Sequence, residues 1–352
     1  EKRGSLIDVI DKTKTSAGGR LLREFLKTPL INKKEIKRRH NLAESFLSSF
    51  ELLKRTTSLL SGLPDVERAM SRISANTKNP RDLAMLSLFI EKANNIFNEL
   101  RESKNKILKE LIPSEKILAL ASKMRNLIVG QIHEMPPINL NDGGVIKDGV
   151  DKKLDDLRNI KNLKKSEILE FQSKYALATD VNNLKIKFNN FHGYFIETTN
   201  KNSEKIKQCN AINFRLIQNT INTSRFQTEE LKETSLEIER SESESIELET
   251  NIYEKICLEI SNKSDCINIL SKKISFIDVI SNFSILSNEK GYVKPDLVDN
   301  VSIEIVNGRH PVVEDSLEKE GINFTPNDCF MNSKNGTWLM TGPNMAGKSA
   351  FL

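Results

Sequence analysis

From Gly4 to about Leu120, apolar positions recur at three- and four-residue steps, the spacing that lines one face of a helix. Leu21, Leu22, Phe25 and Leu26 form one such set, and Pro29 ends it. Asn32 is placed to cap the next helix, with Glu35 three residues on as its capping-box partner. Asp65, Val66, Ala69 and Met70 follow Pro64 as a further helix start. Asn79-Pro80 opens another, with Leu83, Leu86, Ile90 and Ala93 on one stripe. This part reads as a helical packing domain.

The pattern then breaks. MPPINLNDGGVIKDG (Met135–Gly149) holds two prolines and three glycines and cannot sit inside a helix. After it the spacing predicts a long helix from about Val150 to Ala178, with Leu154, Leu157, Ile160 and Leu163 as a narrow stripe and a reach of roughly 40 Å. From Val181 the period drops to two. Leu184, Ile186 and Phe188 face one way and Lys185 and Lys187 the other; Gly193 follows a polar turn, and Tyr194 to Glu197 begin a second strand, a β-hairpin with lysines on one face. A second long helix returns from about Glu229 to Asn262, with Leu231, Ile238 and Ile252 on a seven-residue grid. From Gly291 the pattern changes once more. SIEIV (Ser302–Val306) and TWLMT (Thr337–Thr341) read as short strands that open an α/β domain.

Charge sharpens this picture. The outgoing helix carries Lys152, Lys153, Arg158, Lys161, Lys164 and Lys165, and the returning one Glu237, Glu239, Glu242, Glu244, Glu247 and Glu249. A solvated face accounts for either run alone, but the order helix, β insert, helix favours an antiparallel pair with complementary faces. Between the two helices, Val181–Thr228 carries Lys185, Lys187, Lys201, Lys205, Lys207, Arg215 and Arg225 against Glu197 and Glu204. Its excess of +5 equals the formal charge of the whole 352-residue chain. A basic, asparagine-rich tip suits phosphate contact without base reading; lysines on a strand also serve as edge protection.

Charged residues make up 29% of the chain and aromatics 6%, which fits long helices with solvated faces and disfavours a large aromatic core. Cys209, Cys257, Cys266 and Cys329 are far apart and read as free thiols in a reducing cytoplasm. The four histidines show no metal spacing, and no apolar run approaches the roughly 18 residues of a membrane span. The chain starts at Glu1 and ends three residues after a phosphate-loop motif, so both ends read as cut from a longer protein.

That motif is TGPNMAGKS, with Gly342, four residues, then Gly347-Lys348-Ser349. Its glycines let backbone N–H groups converge on phosphates, Lys348 reaches the terminal phosphates, and Ser349 offers a hydroxyl to Mg²⁺. A chance match or a degenerate loop is the competing reading.

TGPNMAGKS also resembles the phosphate loop of the MutS family of DNA mismatch-repair ATPases. Four more blocks resemble that family in its order: GSLIDVIDKTKTSAGGRLLREFLKTPL (Gly4–Leu30), FNNFHGYFIETT (Phe188–Thr199), TEELKE (Thr228–Glu233) and GYVKPDL with IEIVNGRHPVVE (Gly291–Glu314). The resemblance implies a mainly α fold with a β-rich insert: a helical core (lever) domain over 1–150, an outgoing lever helix over 151–180, a β-rich DNA clamp over 181–228, a return lever helix and core over 229–287, and the N-terminal part of a P-loop ATPase domain over 288–352. It implies a DNA-dependent ATPase of mismatch repair, dimeric, encircling duplex DNA that contains a mismatch, using ATP and Mg²⁺, signalling to a MutL-type partner, and located in the cytoplasm with the nucleoid. It places Gly342, Pro343, Asn344, Met345, Ala346, Gly347, Lys348 and Ser349 around the nucleotide and Phe324 against adenine, where a core aromatic is the plain alternative. Arg309-His310-Pro311 matches a signature near the nucleotide, without a catalytic role.

The sequence departs from the family pattern at several points. The mismatch-reading wedge and the connector domain are not among these residues, and the magnesium-binding acid lies beyond Leu352, so the fragment by itself is expected not to turn over ATP. Ala350 stands where the family usually has threonine. Leu216, Ile217 and Ile221 stand where the family often has two arginines and a lysine, which leaves Lys185, Lys187, Lys201, Lys205, Lys207 and Arg225 as the expected DNA contacts. Two other readings stay open: a clamp-type relative that acts on branched or recombining DNA without reading mismatches, and a coiled-coil structural protein with a degenerate phosphate loop.

Overall fold

In a computed structural model, which describes residues 4–189, 191–342, 347 and 351, helix formation follows the apolar periodicity closely. Seven helices come first: α1 (Leu6–Ile10), α2 (Ser16–Lys27), α3 (Lys33–Leu47), α4 (Phe50–Leu60), α5 (Val66–Ser74), α6 (Arg81–Glu102) and α7 (Glu115–Gln131). The Asn32 side chain accepts from the Lys34 and Glu35 N–H groups and so caps α3. The reciprocal half of the expected capping box is missing: the Glu35 carboxylate turns outward to Arg38 at 3.2 Å, where it gains an ion pair. The stripe Leu83, Leu86, Ile90 and Ala93 on α6 is fully buried, as its spacing requires.

The remaining elements are α8 (Lys152–Thr179), β1 (Lys185–Asn189), β2 (Gly193–Thr199), α9 (Asn200–Lys207), β3 (Arg215–Asn219), β4 (Thr223–Gln227), α10 (Glu229–Ser261), α11 (Ser264–Lys290), β5 (Ser302–Gly308), α12 (Pro311–Lys319) and β6 (Asn327–Asn332). The chain divides into two compact units. One comprises residues 1–70, 85–125 and 263–352, and the other residues 71–84 and 126–262.

In the first unit α11 packs against α2, α3 and α4. Two buried polar side chains of α11 hold the segment before α2. Asp278 accepts from the Lys14 and Thr15 N–H groups and from the Thr15 hydroxyl at 2.7–3.1 Å, and Asn282 accepts from the Lys12 N–H and donates to the Ile10 carbonyl. β5 and β6 pair antiparallel. TWLMT carries no strand, contrary to its pattern. A strand needs a ladder partner, and among the described residues none pairs with 337–341; Trp338 donates its indole N–H to the Phe330 carbonyl, and Leu339 is exposed.

In the second unit α8 and α10 pack together over much of their length. At 28 and 33 residues they run about 42 and 50 Å. The predicted stripe on α8 is corrected here. Leu154 and Leu157 are buried, but Ile160 and Leu163 are 42% and 67% exposed. Each three-residue step falls short of a turn, so Leu163 lies about 180° around the helix from Leu154. The buried face continues instead through Ile168, Tyr175 and Thr179. On α10 Leu231 and Ile238 are buried, and Tyr253 takes the place expected for Ile252, which is half-buried, because a seven-residue grid drifts about 20° per repeat on a straight helix. Between α8 and α10 the chain forms a four-stranded antiparallel sheet of order β1-β2-β4-β3, with α9 joining β2 to β3. Ile196 and Phe226 from this sheet join Ile168, Tyr175, Val181, Leu184, Ile206, Leu231 and Ile238 in one apolar cluster. Among the described residues no helix is long and apolar enough to cross a membrane.

Candidate functional site

The sheet is fastened to the two helices at their shared end. Thr228 caps α10 through the Leu231 N–H, and its hydroxyl lies 2.7 Å from that of Tyr175, which also donates to Glu230. The expected pairing of basic and acidic helices is realised at Arg158–Glu249, Lys161–Glu242 and Lys164–Glu237, all at 2.8–3.0 Å, with Lys174–Glu230 as a fourth contact at 2.8 Å. Glu249 does more than pair. It is 1% exposed and accepts from the Gly144, Val145 and Ile146 N–H groups as well as from Arg158, so it binds the proline- and glycine-rich loop to both helices.

The outer face of the sheet carries a polar row. The register sets Lys185 of β1 and Arg225 of β4 on either side of Glu197 of β2, with Gln218 of β3 next to Arg225. Within this row the Lys187 ammonium donates to Glu197 Oε1 at 2.6 Å and Arg225 Nε donates to Oε2 at 3.1 Å. Arg225 also donates to Gln218 at 2.7 Å and lies over the Phe195 ring, 4.8 Å from its centroid. The Lys187 ammonium, and after it the Arg225 guanidinium, hold the Glu197 carboxyl below the usual glutamate range against the opposing effect of burial.

The six expected DNA contacts therefore differ in kind. Lys187 and Arg225 share Glu197, Lys205 donates to the carbonyl and carboxylate of Asp180, and Lys207 pairs with Glu204 one turn away. Lys185 and Lys201 are exposed and make no ion pair among the described residues, and the same holds for Arg215 on the edge strand β3. Composition gave the sum of these charges but not which acid each cation meets, because that depends on strand register for Lys187 and Arg225 and on helix α9 for Lys205 and Lys207. The turn between β3 and β4 is tied down by Asn200, whose amide donates to the Thr220 and Ile221 carbonyls while its oxygen accepts from Ser224. Ile221 at that turn is 96% exposed, and Leu216 on β3 is exposed as well.

Of the phosphate loop, Gly342 and Gly347 are described. Their φ values of 152° and 81° lie where a side chain is strained, so glycine fits both places. Pro343, Asn344, Met345, Ala346, Lys348 and Ser349 lie outside the described residues. Phe324 is half-buried in the connection between α12 and β6. Arg309-His310-Pro311 has a structural task. His310 caps α12 by accepting from the Val313 N–H, Pro311 takes the first helical position, and Arg309 holds Glu314 and the Lys290 carbonyl.

Comparison with known proteins matches residues 1–284 to the family described as MutS domain III. The DNA mismatch repair protein MutS of Rickettsia bellii (strain RML369-C) is 38% identical over 358 residues, covering 99% of this chain and 39% of that protein. The protein of the same name from Rickettsia rickettsii (strain Sheila Smith) is 38% identical over 355 residues, covering 100% of this chain and 40% of the relative. The chain thus spans about two-fifths of the length of the curated relatives it matches. Five sequence blocks in one order, a long helix pair that returns on itself and an inserted antiparallel sheet agree with those matches, and the chain belongs to the MutS family.

Proposed function

We propose that the chain is the lever, clamp and start of the ATPase domain of a DNA mismatch-repair ATPase. In this reading residues 1–150 and 229–287 form the core and levers with the outgoing helix over 151–180, residues 181–228 are a DNA clamp, and residues 288–352 open the nucleotide-binding domain. The carrying observation is the basic antiparallel sheet at the end of the α8/α10 pair, in a chain whose relatives are mismatch repair proteins along its whole length.

The clamp grips duplex DNA through phosphate contacts. Lys185, Lys201 and Arg215, with no acid to release, are the first to engage, and Lys187, Lys205 and Lys207 engage against the pull of their present partners, while Arg225 adds its charge from beside Glu197. Such contacts position the protein without reading sequence. Exposed Leu216 and Ile221 leave the β3–β4 hairpin without the charge that the family pattern often has there. At the other end of the chain Gly342 and Gly347 permit the close backbone approach that a triphosphate needs, Lys348 neutralises its terminal phosphates and Ser349 contributes to Mg²⁺ binding. Bound ATP with Mg²⁺ supplies a hydrolysable phosphoanhydride. The chain's own residues bind and orient it, with Phe324 as the proposed adenine platform. The working protein is a cytoplasmic homodimer that signals to a MutL-type partner.

The test is binding of labelled duplexes to the protein in its complete reading frame. A duplex with a single mismatch should bind more tightly than its matched counterpart, and Lys348→Ala should abolish binding of a fluorescent ATP analogue. Equal affinity for both duplexes together with preference for a four-way junction would replace this reading with that of a relative acting on branched DNA. Nucleotide binding that survives Lys348→Ala would remove the phosphate loop from the proposal.

A further inference from the structure

The sheet's outer face places one carboxylate among three cations. Lys185 and Arg225 lie directly across from Glu197 on the neighbouring strands, and Lys187 reaches it from one step along β1. The two carboxylate oxygens take different cations, Oε1 that of Lys187 and Oε2 that of Arg225, as two oxygens of a phosphate would. We propose that Glu197 is an internal stand-in for a DNA phosphate, occupying Lys187 while DNA is away and keeping the grip of the sheet weak when DNA arrives, with Arg225 holding the carboxylate in both states. This rests on the reading of residues 181–228 as a DNA clamp.

The three side chains differ in freedom, and this sets how the exchange proceeds. Glu197 is 13% exposed and fixed in the central part of the sheet, whereas the Lys187 side chain is 51% exposed and can swing on its flexible stem. Arg225 is 25% exposed, held by Gln218 and stacked on Phe195, so it stays in place. Lys187 is therefore the cation that leaves Glu197 for a backbone phosphate, and Arg225 remains to satisfy the carboxylate. Each phosphate contact made at Lys187 breaks an ion pair of similar kind, so the net gain is small.

The experiment measures the affinity of the complete protein for a matched duplex across a salt series. Glu197→Gln keeps the side chain's size and removes its charge. It should tighten binding about two- to fivefold, the scale of one partly exposed ion pair, and steepen the log–log salt slope by about 0.9, one additional phosphate contact. Lys187→Gln should weaken the Glu197→Gln variant more than it weakens the wild type, reversing the gain, because only in that variant is the Lys187 contact made without breaking an ion pair. Glu197→Asp, too short to span both cations, should give a smaller gain, and it serves if Glu197→Gln does not fold. Wild-type or weaker affinity in a folded Glu197 variant would overturn the inference. The clamp reading would still stand in that case if Lys185→Ala with Lys201→Ala weakens binding and flattens the slope. If that double variant changes neither quantity, the clamp reading fails and the inference falls with it.

Discussion

A methyl group added at Gly18 would lie 2.1 Å from Oδ2 of Asp278, a buried carboxylate already committed to Lys14 and Thr15. That carboxylate cannot move aside without giving up the bonds that hold the segment before α2. Gly18→Ala should therefore destabilise the fold by about 1–3 kcal/mol, as overpacking does elsewhere, read as a lower midpoint in urea with an unchanged slope. The double glycine was visible in the sequence, but its reason was not, since Asp278 is some 260 positions away and only an Asp and an Asn inside the apolar run of α11 hinted at a buried polar task. Glu197 gives a second prediction at this scale. Its folded pKa lies below its unfolded value near 4.5, held there by Lys187 and Arg225. It therefore contributes stability that is present above about pH 4.5 and lost as pH falls through the folded value. Thermal midpoints measured from neutral pH into that acid range should fall less steeply for Glu197→Gln than for the wild type. Parallel curves would mean that the pair contributes nothing to folding.

At the scale of elements, the helices and the hairpin were legible because each has its own period, and the errors come from where a period drifts. The α8/α10 pair is apolar at its ends and polar between. Between Leu157 and Ile168 α8 buries no residue, and between Ile238 and Tyr253 α10 buries only Ser241, Ser245 and Glu249. Lys161–Glu242 and Lys164–Glu237 hold this stretch with partly exposed pairs, each worth about 0.2–1 kcal/mol. Amides of residues 160–165 and 240–247 should accordingly exchange hydrogen faster than those of 168–175 and 231–238; uniform protection along both helices would contradict this. Glu249 marks the far edge of that stretch and behaves differently. Three backbone N–H groups and Arg158 converge on it in a buried place. Glu249→Ala should cost about 3–5 kcal/mol, because it leaves three buried amide donors without their acceptor at about 1–3 kcal/mol each, while Arg158 keeps Asp148 and the Ile146 carbonyl. The acidic run of α10 announced the charge but not the loop it secures.

For the molecule as a whole, the order of five sequence blocks was enough to place the chain in its family, while the working state of its charges was not readable, since four of six expected contact cations already hold an acid. If the loop at Gly342–Ser349 and the sheet at 181–228 serve one machine, the two binding events are thermodynamically linked. The factor by which an ATP analogue changes DNA affinity must then equal the factor by which DNA changes analogue affinity. Both can be measured on the complete protein by titrating each ligand with and without saturating amounts of the other. Lys348→Ala should reduce both factors to one while leaving DNA affinity in the absence of nucleotide intact, because the loop carries none of the sheet's cations. Lys185→Ala with Lys201→Ala should weaken DNA binding and flatten its salt slope by about 1.8. On the proposed reading, in which those lysines set the strength of the grip and not its connection to the nucleotide, the coupling factor itself should survive. Coupling that persists in Lys348→Ala would show that the nucleotide acts through another site, and coupling lost in the double lysine variant would show that the clamp's phosphate contacts are themselves what the nucleotide controls.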